Sequence, residues 1–250
     1  MTTLLIGNKE IECRLIVFDK DGTLVDLHQL SRERAKARRD CIQRRGGKDV
    51  SGLWERIVGV DLENGKVDEN GPLASIACNE EILVAATSFY LNGYSWDESN
   101  QMVQAAYDEA DNSMKPTYGT VLLNGTLETL SMLKKHGFKL AIASTDIRKR
   151  TQESFKALGI DSFFDAIVGS DDVASGKPAP DMIFAALKQT VSKPEDTVIV
   201  GDSVNDMKMG RNAGVKACIA VLSGSGTRKK LEPFADIIVS SISELKIRES

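Results

Sequence analysis

Short apolar runs that stop abruptly at polar residues constrain this chain more than any other feature. Residues 14–18, Arg-Leu-Ile-Val-Phe, end at Asp19. Similar runs recur at Lys139–Ala143, Ala166–Val168, Thr197–Val200, Ala217–Val221 and Ile237–Val239. Runs of this length, rich in β-branched residues, predict strands buried on both faces. Helical patterns separate them. Leu127, Leu130, Met132 and Leu133 precede His136-Gly137, a helix-ending signal, with His136 as a capping cation, and Phe155, Leu158 and Ile160 surround Gly159 in the same way. Asp181–Gln189 and Asn205–Ala213 supply two further helices. Strands alternating with helices predict an α/β fold, a parallel sheet with helices on both faces.

The stretch from Leu27 to Lys115 breaks this rhythm. It opens with a charged helical pattern, LHQLSRERAKARRDCIQRRGG, closed by Gly46-Gly47, and continues through a Gly- and Asn-rich patch. Helical patterns follow at Asn79–Leu91 and Ser95–Asn112, and Pro116 precedes the return to alternation. The expected organisation is a core of residues 1–26 and 116–250, interrupted by a mainly helical domain over 27–115. Ahead of the first core strand, Gly7-Asn8 between apolar stretches predicts a small hairpin leading into the sheet.

Composition narrows the function classes. Of 250 residues, 42% are hydrophobic and 27% charged, which excludes disordered and fibrous chains. With 32 basic and 36 acidic residues the net charge is −4, so no global attraction to nucleic acid or anionic membrane is expected. Cys13, Cys41, Cys78 and Cys218 are too scattered for a zinc site or a disulfide framework and read as reduced thiols. Residues 1–10 lack a basic start followed by a signal-length apolar stretch, and no apolar run approaches the ~20 residues of a membrane span. A soluble cytoplasmic protein, monomer or homodimer, with no nucleic-acid or membrane partner, is the expectation.

Ligands of parallel sheets bind beyond the carboxyl ends of the strands. There the sequence places Asp19-Lys20-Asp21-Gly22-Thr23, then Ser144-Thr145-Asp146, then Gly201-Asp202-Ser203-Val204-Asn205-Asp206. Lys177 lies in an intervening loop with Pro178 and Pro180. A gathering of Asp19, Asp21, Asp202 and Asp206 needs a cation, and hard oxygen ligands favour Mg²⁺. A divalent ion among carboxylates, beside a lysine and a hydroxyl, suits a phosphoryl group. A carboxylate there can attack phosphorus, and a second one two residues away can act as acid, then as base.

The segments FDKDGTLVD (Phe18–Asp26), IAST (Ile142–Thr145), GKPAPD (Gly176–Asp181) and GDSVND (Gly201–Asp206) resemble, in order, the four motifs of the haloacid dehalogenase superfamily. The resemblance covers about residues 14–26 and 120–245. It implies a Rossmann-like core, Mg²⁺, and a phosphatase acting on a small phosphorylated metabolite through an aspartyl phosphate. By the same resemblance, Asp19 is the nucleophile, and Asp21 is the acid and base whose backbone carbonyl also touches the metal. Ser144 binds the phosphoryl oxygen, Lys177 steadies Asp19 and the phosphate, Asp202 is the metal carboxylate, and Asp206 is a ligand or its neighbour. Gly22 and Thr145 border the substrate. The insertion corresponds to a helical cap that selects the substrate, of the phosphoglycolate phosphatase or sugar phosphatase kind. A phosphomutase of the β-phosphoglucomutase type and a non-catalytic phospho-aspartate regulator are the alternatives.

Four further features are read from the residues. The basic run Arg32–Lys48 is expected to be a solvated helix face, from which one or two arginines reach the substrate. Trp54, Tyr90, Tyr94 and Trp96 are expected to fill the core of the insertion. His28, just past the first motif at a place that could face the cleft, is read as an ordinary structural or surface residue. Gly224-Ser225-Gly226-Thr227 reads as a turn with Thr227 as N-cap.

Overall fold

The computed structural model describes residues 2–68, 71–75, 78–114 and 119–248, without the side chains of 74, 75, 78 and 79. Pro116 and the thiol of Cys78 therefore lie outside the described residues. The elements run in the order β1 (Thr2–Ile6), β2 (Lys9–Cys13), β3 (Leu15–Phe18), α1 (Leu27–Val58), β4 (Val60–Asp61), β5 (Lys66–Val67), α2 (Pro72–Ser75), α3 (Cys78–Tyr90) and α4 (Trp96–Ser113). There follow α5 (Thr126–Lys135), β6 (Lys139–Ala143), α6 (Arg148–Leu158), β7 (Ala166–Val168), α7 (Asp181–Thr190), β8 (Thr197–Gly201), α8 (Val204–Ala213), β9 (Ala217–Val221), α9 (Arg228–Leu231), β10 (Ile237–Val239) and β11 (Leu245–Ile247). They divide into two compact units, Met1–Leu27 with Thr120–Ser250, and His28–Gly119.

The first unit is built on a six-stranded parallel sheet in the order β10-β9-β8-β3-β6-β7. Alternate residues of each strand face opposite ways, and the core divides accordingly. Ile16, Phe18, Leu140, Ile142, Val198 and Val200 pack with Leu130, Leu133 and Phe155 on one face. Leu15, Val17, Ala141, Ala143 and Ile199 pack with Met182, Ile183, Met207 and Met209 of α7 and α8 on the other. Double burial is why the strands appear in the sequence as uninterrupted apolar runs rather than alternating ones. Phe18 lies level with Ile142 and Val200, so β3, β6 and β8 all release their chains at one edge.

The predicted hairpin forms and leads across Arg14 into β3, but its own strands do not join the parallel sheet. β1 and β2 pair with β11 in a separate antiparallel sheet, ordered β11-β1-β2. Leu4, Ile6, Ile11 and Leu245 turn inward and join the first core face.

In the helical unit, the span of α1 holds two helices. The first ends at Gly46-Gly47 as its sequence signal indicates, the backbone leaving helical geometry at Gly47 (φ 81°, ψ −174°), and a second, unforeseen helix runs on to Val58. Val50, Trp54 and Val58, four residues apart, continue the buried stripe and explain the second helix. The basic run is not all solvated. Arg38 is buried, with Nη1 2.9 Å from Glu81 and Nη2 3.2 Å from Asp111. Its guanidinium lies 4.1 Å from the Tyr107 ring centre. The Tyr107 hydroxyl donates to Glu81 (2.7 Å) and accepts from Trp54 Nε1 (3.0 Å). An ammonium or guanidinium leaves water only where carboxylates meet it, and Glu81 and Asp111 do so here. Arg44 and Arg45 bind Glu109 at 2.5 and 2.6 Å. Of the expected core aromatics, Trp54 is buried and Tyr94 packs against the cluster, whereas Tyr90 and Trp96 are 53% and 45% exposed and meet edge to face. His28 is exposed on the first turn of α1, and His136 sits at the C-terminus of α5 with Nδ1 2.8 Å from the Met132 carbonyl oxygen.

Candidate active site

The site begins where β3 ends. Asp19 donates its backbone N–H to the Val200 carbonyl (2.9 Å), holding it against β8. The following loop closes tightly: Leu24 and Val25 donate to the Lys20 carbonyl at 2.9 and 3.1 Å, and Gly22 donates to Val25 (2.8 Å). Gly22 adopts φ +86°, a region costly for other residues. A Cβ there would lie 2.8 Å from Asp202 Cγ and 2.9 Å from the Gly224 Cα. What presses on Gly22 is therefore the Asp202 carboxylate and its loop.

β8 delivers Asp202, and α8 delivers Asp206. Ser203 caps α8: Asp206 donates its N–H to Ser203 Oγ (3.2 Å), while Ser203 donates its N–H and hydroxyl to Asp206 Oδ2 at 3.0 and 2.6 Å. This reciprocal cap fixes the carboxylate at the first turn of the helix.

Carboxylate oxygens of Asp19, Asp202 and Asp206 lie within 4.8 Å of one another, all three residues being buried. Lys177 reaches between two of them, donating to Asp19 Oδ1 and, at 2.6 Å, to Asp206 Oδ1. Asp202 Oδ2 accepts from Ser225 N–H (2.7 Å) and Ser225 Oγ (2.9 Å). Asp206 thus has both oxygens engaged, whereas Asp19 Oδ2 and Asp202 Oδ1 accept no hydrogen bond from the described residues.

Burial raises the Asp19 carboxyl well above the usual carboxylate range; Lys177 opposes this, and Asp206 and Asp202 reinforce it. Burial, then the Asp206 charge, pushes Asp202 up to about 6 against the hydrogen bonds from Ser225. Burial would lower the Lys177 ammonium, but Asp19 and Asp206 hold it above the ordinary lysine range. Among the described residues, Lys177 is the one ammonium in contact with the triad, meeting Asp19 and Asp206 but not Asp202, and burial disfavours ionisation of Asp19 and Asp202. Two uncommitted oxygens in an all-oxygen donor set suit a hard divalent cation.

The structure brings Asp19, Asp202, Asp206 and Lys177 together. The Asp21 side chain stands apart from the triad: its Oδ2 lies 3.2 Å from Lys20 Nζ, which also binds Asp146. Burial opposes the charged form of Lys20, yet Asp21 and Asp146 hold its ammonium above the ordinary value. Ser144 is buried, and its Oγ accepts the Asp146 N–H (3.1 Å), which leaves the hydroxyl proton to donate elsewhere. Thr145 is exposed beside it.

The sequence reading overlooked Lys20, Ser223 and Ser225. Ser223 donates to the Gly22 carbonyl (2.7 Å), so the loop after β9 binds both the Gly22 turn and Asp202. Thr227 occupies the N-cap position of α9, but its side chain makes no capping hydrogen bond, so Gly224-Ser225-Gly226 serves the carboxylate rather than a helix start. The signal was available: β9 ends at the same edge as the other strands, so its trailing residues fall where ligands bind.

The profile of the family described as haloacid dehalogenase-like hydrolase matches residues 85–220. Pyrophosphatase PpaX of Halalkalibacterium halodurans is 37% identical over 123 residues, 48% of this chain and 56% of that protein. Pyrophosphatase PpaX of Bacillus velezensis is 34% identical over 157 residues, 62% of this chain and 69% of that protein. The chain thus spans between about half and two thirds of the curated relatives it matches. A predicted phosphoglycolate phosphatase from Haemophilus somnus 129pt shares the fold, with a TM-score of 0.70, 19% identity, and coverage of 94% of this chain and 96% of that one. The chain belongs to the haloacid dehalogenase-like hydrolase family.

Proposed function

We propose that the protein is a Mg²⁺-dependent phosphatase that cleaves a small phosphate monoester through a phosphoryl group carried on Asp19. The observation that supports this best is the buried triad of Asp19, Asp202 and Asp206, with Lys177 donating to Asp19 Oδ1 and leaving Oδ2 uncommitted. Asp19, Asp202 and, beside them, Asp206 would hold Mg²⁺. When bound, the ion neutralises the carboxylates and the charge that develops on the phosphoryl oxygens.

The chain's own residues perform the chemistry. Asp19 Oδ2 attacks phosphorus and forms the acyl phosphate as the bond to the leaving oxygen breaks. Lys177 favours the ionised form of Asp19 against the effect of burial and aims its carboxylate. Ser144, whose oxygen already accepts the Asp146 N–H, donates its hydroxyl proton to a phosphoryl oxygen. Asp21 gives a proton to the departing alkoxide. It then takes one from the water that attacks phosphorus, which releases phosphate and restores Asp19. The helical unit is assigned the choice of substrate.

A second reading, cleavage of pyrophosphate, is favoured by the name of the relatives above, because the same attack on phosphorus applies with phosphate as leaving group. Return of the phosphoryl group to a sugar phosphate is the mutase alternative. Phosphate release from an aryl phosphate, glycolate phosphate, sugar phosphates and pyrophosphate, with and without Mg²⁺, separates these readings. Asp19→Asn is expected to abolish turnover; full activity retained after Asp19→Asn overturns the mechanism.

A further inference from the structure

Lys20 is 3% exposed, although it lies in a loop between two aspartates. Its main chain is pinned by Leu24 and Val25, and its ammonium stands between two carboxylates from different loops. Asp21 Oδ2 lies 3.2 Å away in its own loop, and Asp146 Oδ2 reaches it from the loop after β6. Asp146 is itself fixed, donating its N–H to Ser144 Oγ and accepting the Ser170 N–H at its carbonyl (2.9 Å).

Removing an ammonium from water is expensive, and an apolar side chain of similar volume often serves stability as well. The arrangement therefore asks for a reason other than packing. A charged strut does what an apolar one cannot, because it sets the direction of a carboxylate through a charge-assisted hydrogen bond.

We infer that Lys20 is a positioning residue that clamps the Asp21 carboxylate and ties it to Asp146, holding Asp21 and the Ser144 hydroxyl in one frame. The inference rests on the phosphatase reading for the role of Asp21, while the geometric claim stands without it. Lys20 touches no reacting atom; it acts through Asp21. Proton transfer to a leaving group tolerates little misplacement, so loss of the strut reduces turnover while substrate binding persists.

The test compares wild type, Lys20→Met, Lys20→Arg and Asp146→Asn, with Asp19→Asn as the control on the reaction itself. Turnover of an aryl phosphate with Mg²⁺ is measured alongside the far-ultraviolet spectrum. Lys20→Met is expected to lower kcat roughly ten- to a hundredfold with KM changed less than about threefold, and Lys20→Arg to recover most of the loss. The losses of Lys20→Met and Asp146→Asn are expected to be less than additive when combined, since both break one strut. A kcat for Lys20→Met within about twofold of wild type overturns the inference and leaves the phosphatase reading intact. If Lys20→Met fails to fold, Lys20→Arg and Asp146→Asn decide by the same split between kcat and KM. If the wild type releases no phosphate from any substrate, the functional reading fails, and crystal structures of wild type and Lys20→Met decide the geometry. A displaced Asp21 carboxylate upholds the clamp, and an unmoved one overturns it.

Discussion

Replacing Gly22 with alanine separates two costs that usually travel together. The first is conformational. At φ +86° an L-residue costs roughly 1–2 kcal/mol. The second is crowding. The new Cβ would meet Asp202 Cγ and Oδ2 at 2.8 Å and the Gly224 Cα at 2.9 Å, and backbone cannot swing aside as a flexible side-chain end can. Overpacking of this kind costs about 1–3 kcal/mol. Gly137 supplies the control, because it has φ +82° with nothing within 4 Å of its ideal Cβ. Gly137→Ala therefore carries the conformational cost alone, and Gly22→Ala is expected to be about 1–3 kcal/mol less stable than Gly137→Ala. At roughly 2–4 °C per kcal/mol for a chain of this size, Tm falls by about a further 2–12 °C. Far-ultraviolet circular dichroism in a urea series is the suitable assay. Trp54 and Trp96, the two tryptophans, both lie in the helical unit, so fluorescence reports on the wrong part of the chain. Equal losses for the two variants, within about 0.5 kcal/mol, refute the crowding argument.

Ser225→Ala removes one hydroxyl donor from Asp202 Oδ2 while leaving the backbone N–H, and is expected to weaken Mg²⁺ binding by about tenfold, measured by calorimetry; unchanged affinity sinks the idea that Ser225 orients this carboxylate. The Asp202 carboxyl, raised to about 6, contributes stability below the ordinary carboxylate range that is lost as pH rises through 6, and a divalent cation must displace its proton. The gain in Tm on adding MgCl₂ is therefore expected to be small at pH 5 and larger at pH 7.5, and equal gains contradict the assignment. Arg38→Met leaves Glu81 and Asp111 without their buried cation, and is expected to destabilise the helical unit by about 3 kcal/mol or more; here tryptophan fluorescence is the proper probe, and a loss below about 1 kcal/mol counts against the network.

The parallel strands were readable because burial on both faces leaves an unbroken apolar signature. β6, β7, β9 and β10 coincide with their runs. β11 was not readable: Leu-Lys-Ile carries no such signature, and its partner β1 lies at the opposite end of the chain. The strand ends pointed to Asp19, Asp202 and Asp206 because topology alone brings them to one edge. Lys20 depends instead on the path of one loop, which spacing does not encode, whereas Ser225 follows a strand end that could have been read in the same way. Arg38 was misread for a related reason. A guanidinium on a helix looks solvated until Glu81 and Asp111, from two other helices, are brought against it. Gly47 does end the first helix, whereas the second helix beyond it, carried by Val50, Trp54 and Val58, has no start signal strong enough to read.

The order of strands around β3 also sets a timetable. β3 is complete at residue 18, but its neighbours β6 and β8 begin at 139 and 197. At ribosomal speeds of about 5–20 residues per second, β3 waits roughly ten to forty seconds before both sides can be paired. Meanwhile the whole helical unit emerges and has its own apolar cluster to fold around. The nascent Leu-Ile-Val-Phe segment has both edges open to any other extended chain until β6 emerges, and its β8 edge open for longer still. Its length of four residues limits that exposure. Synthesis thus favours a helical unit that consolidates first and a parallel sheet that assembles late around its oldest strand.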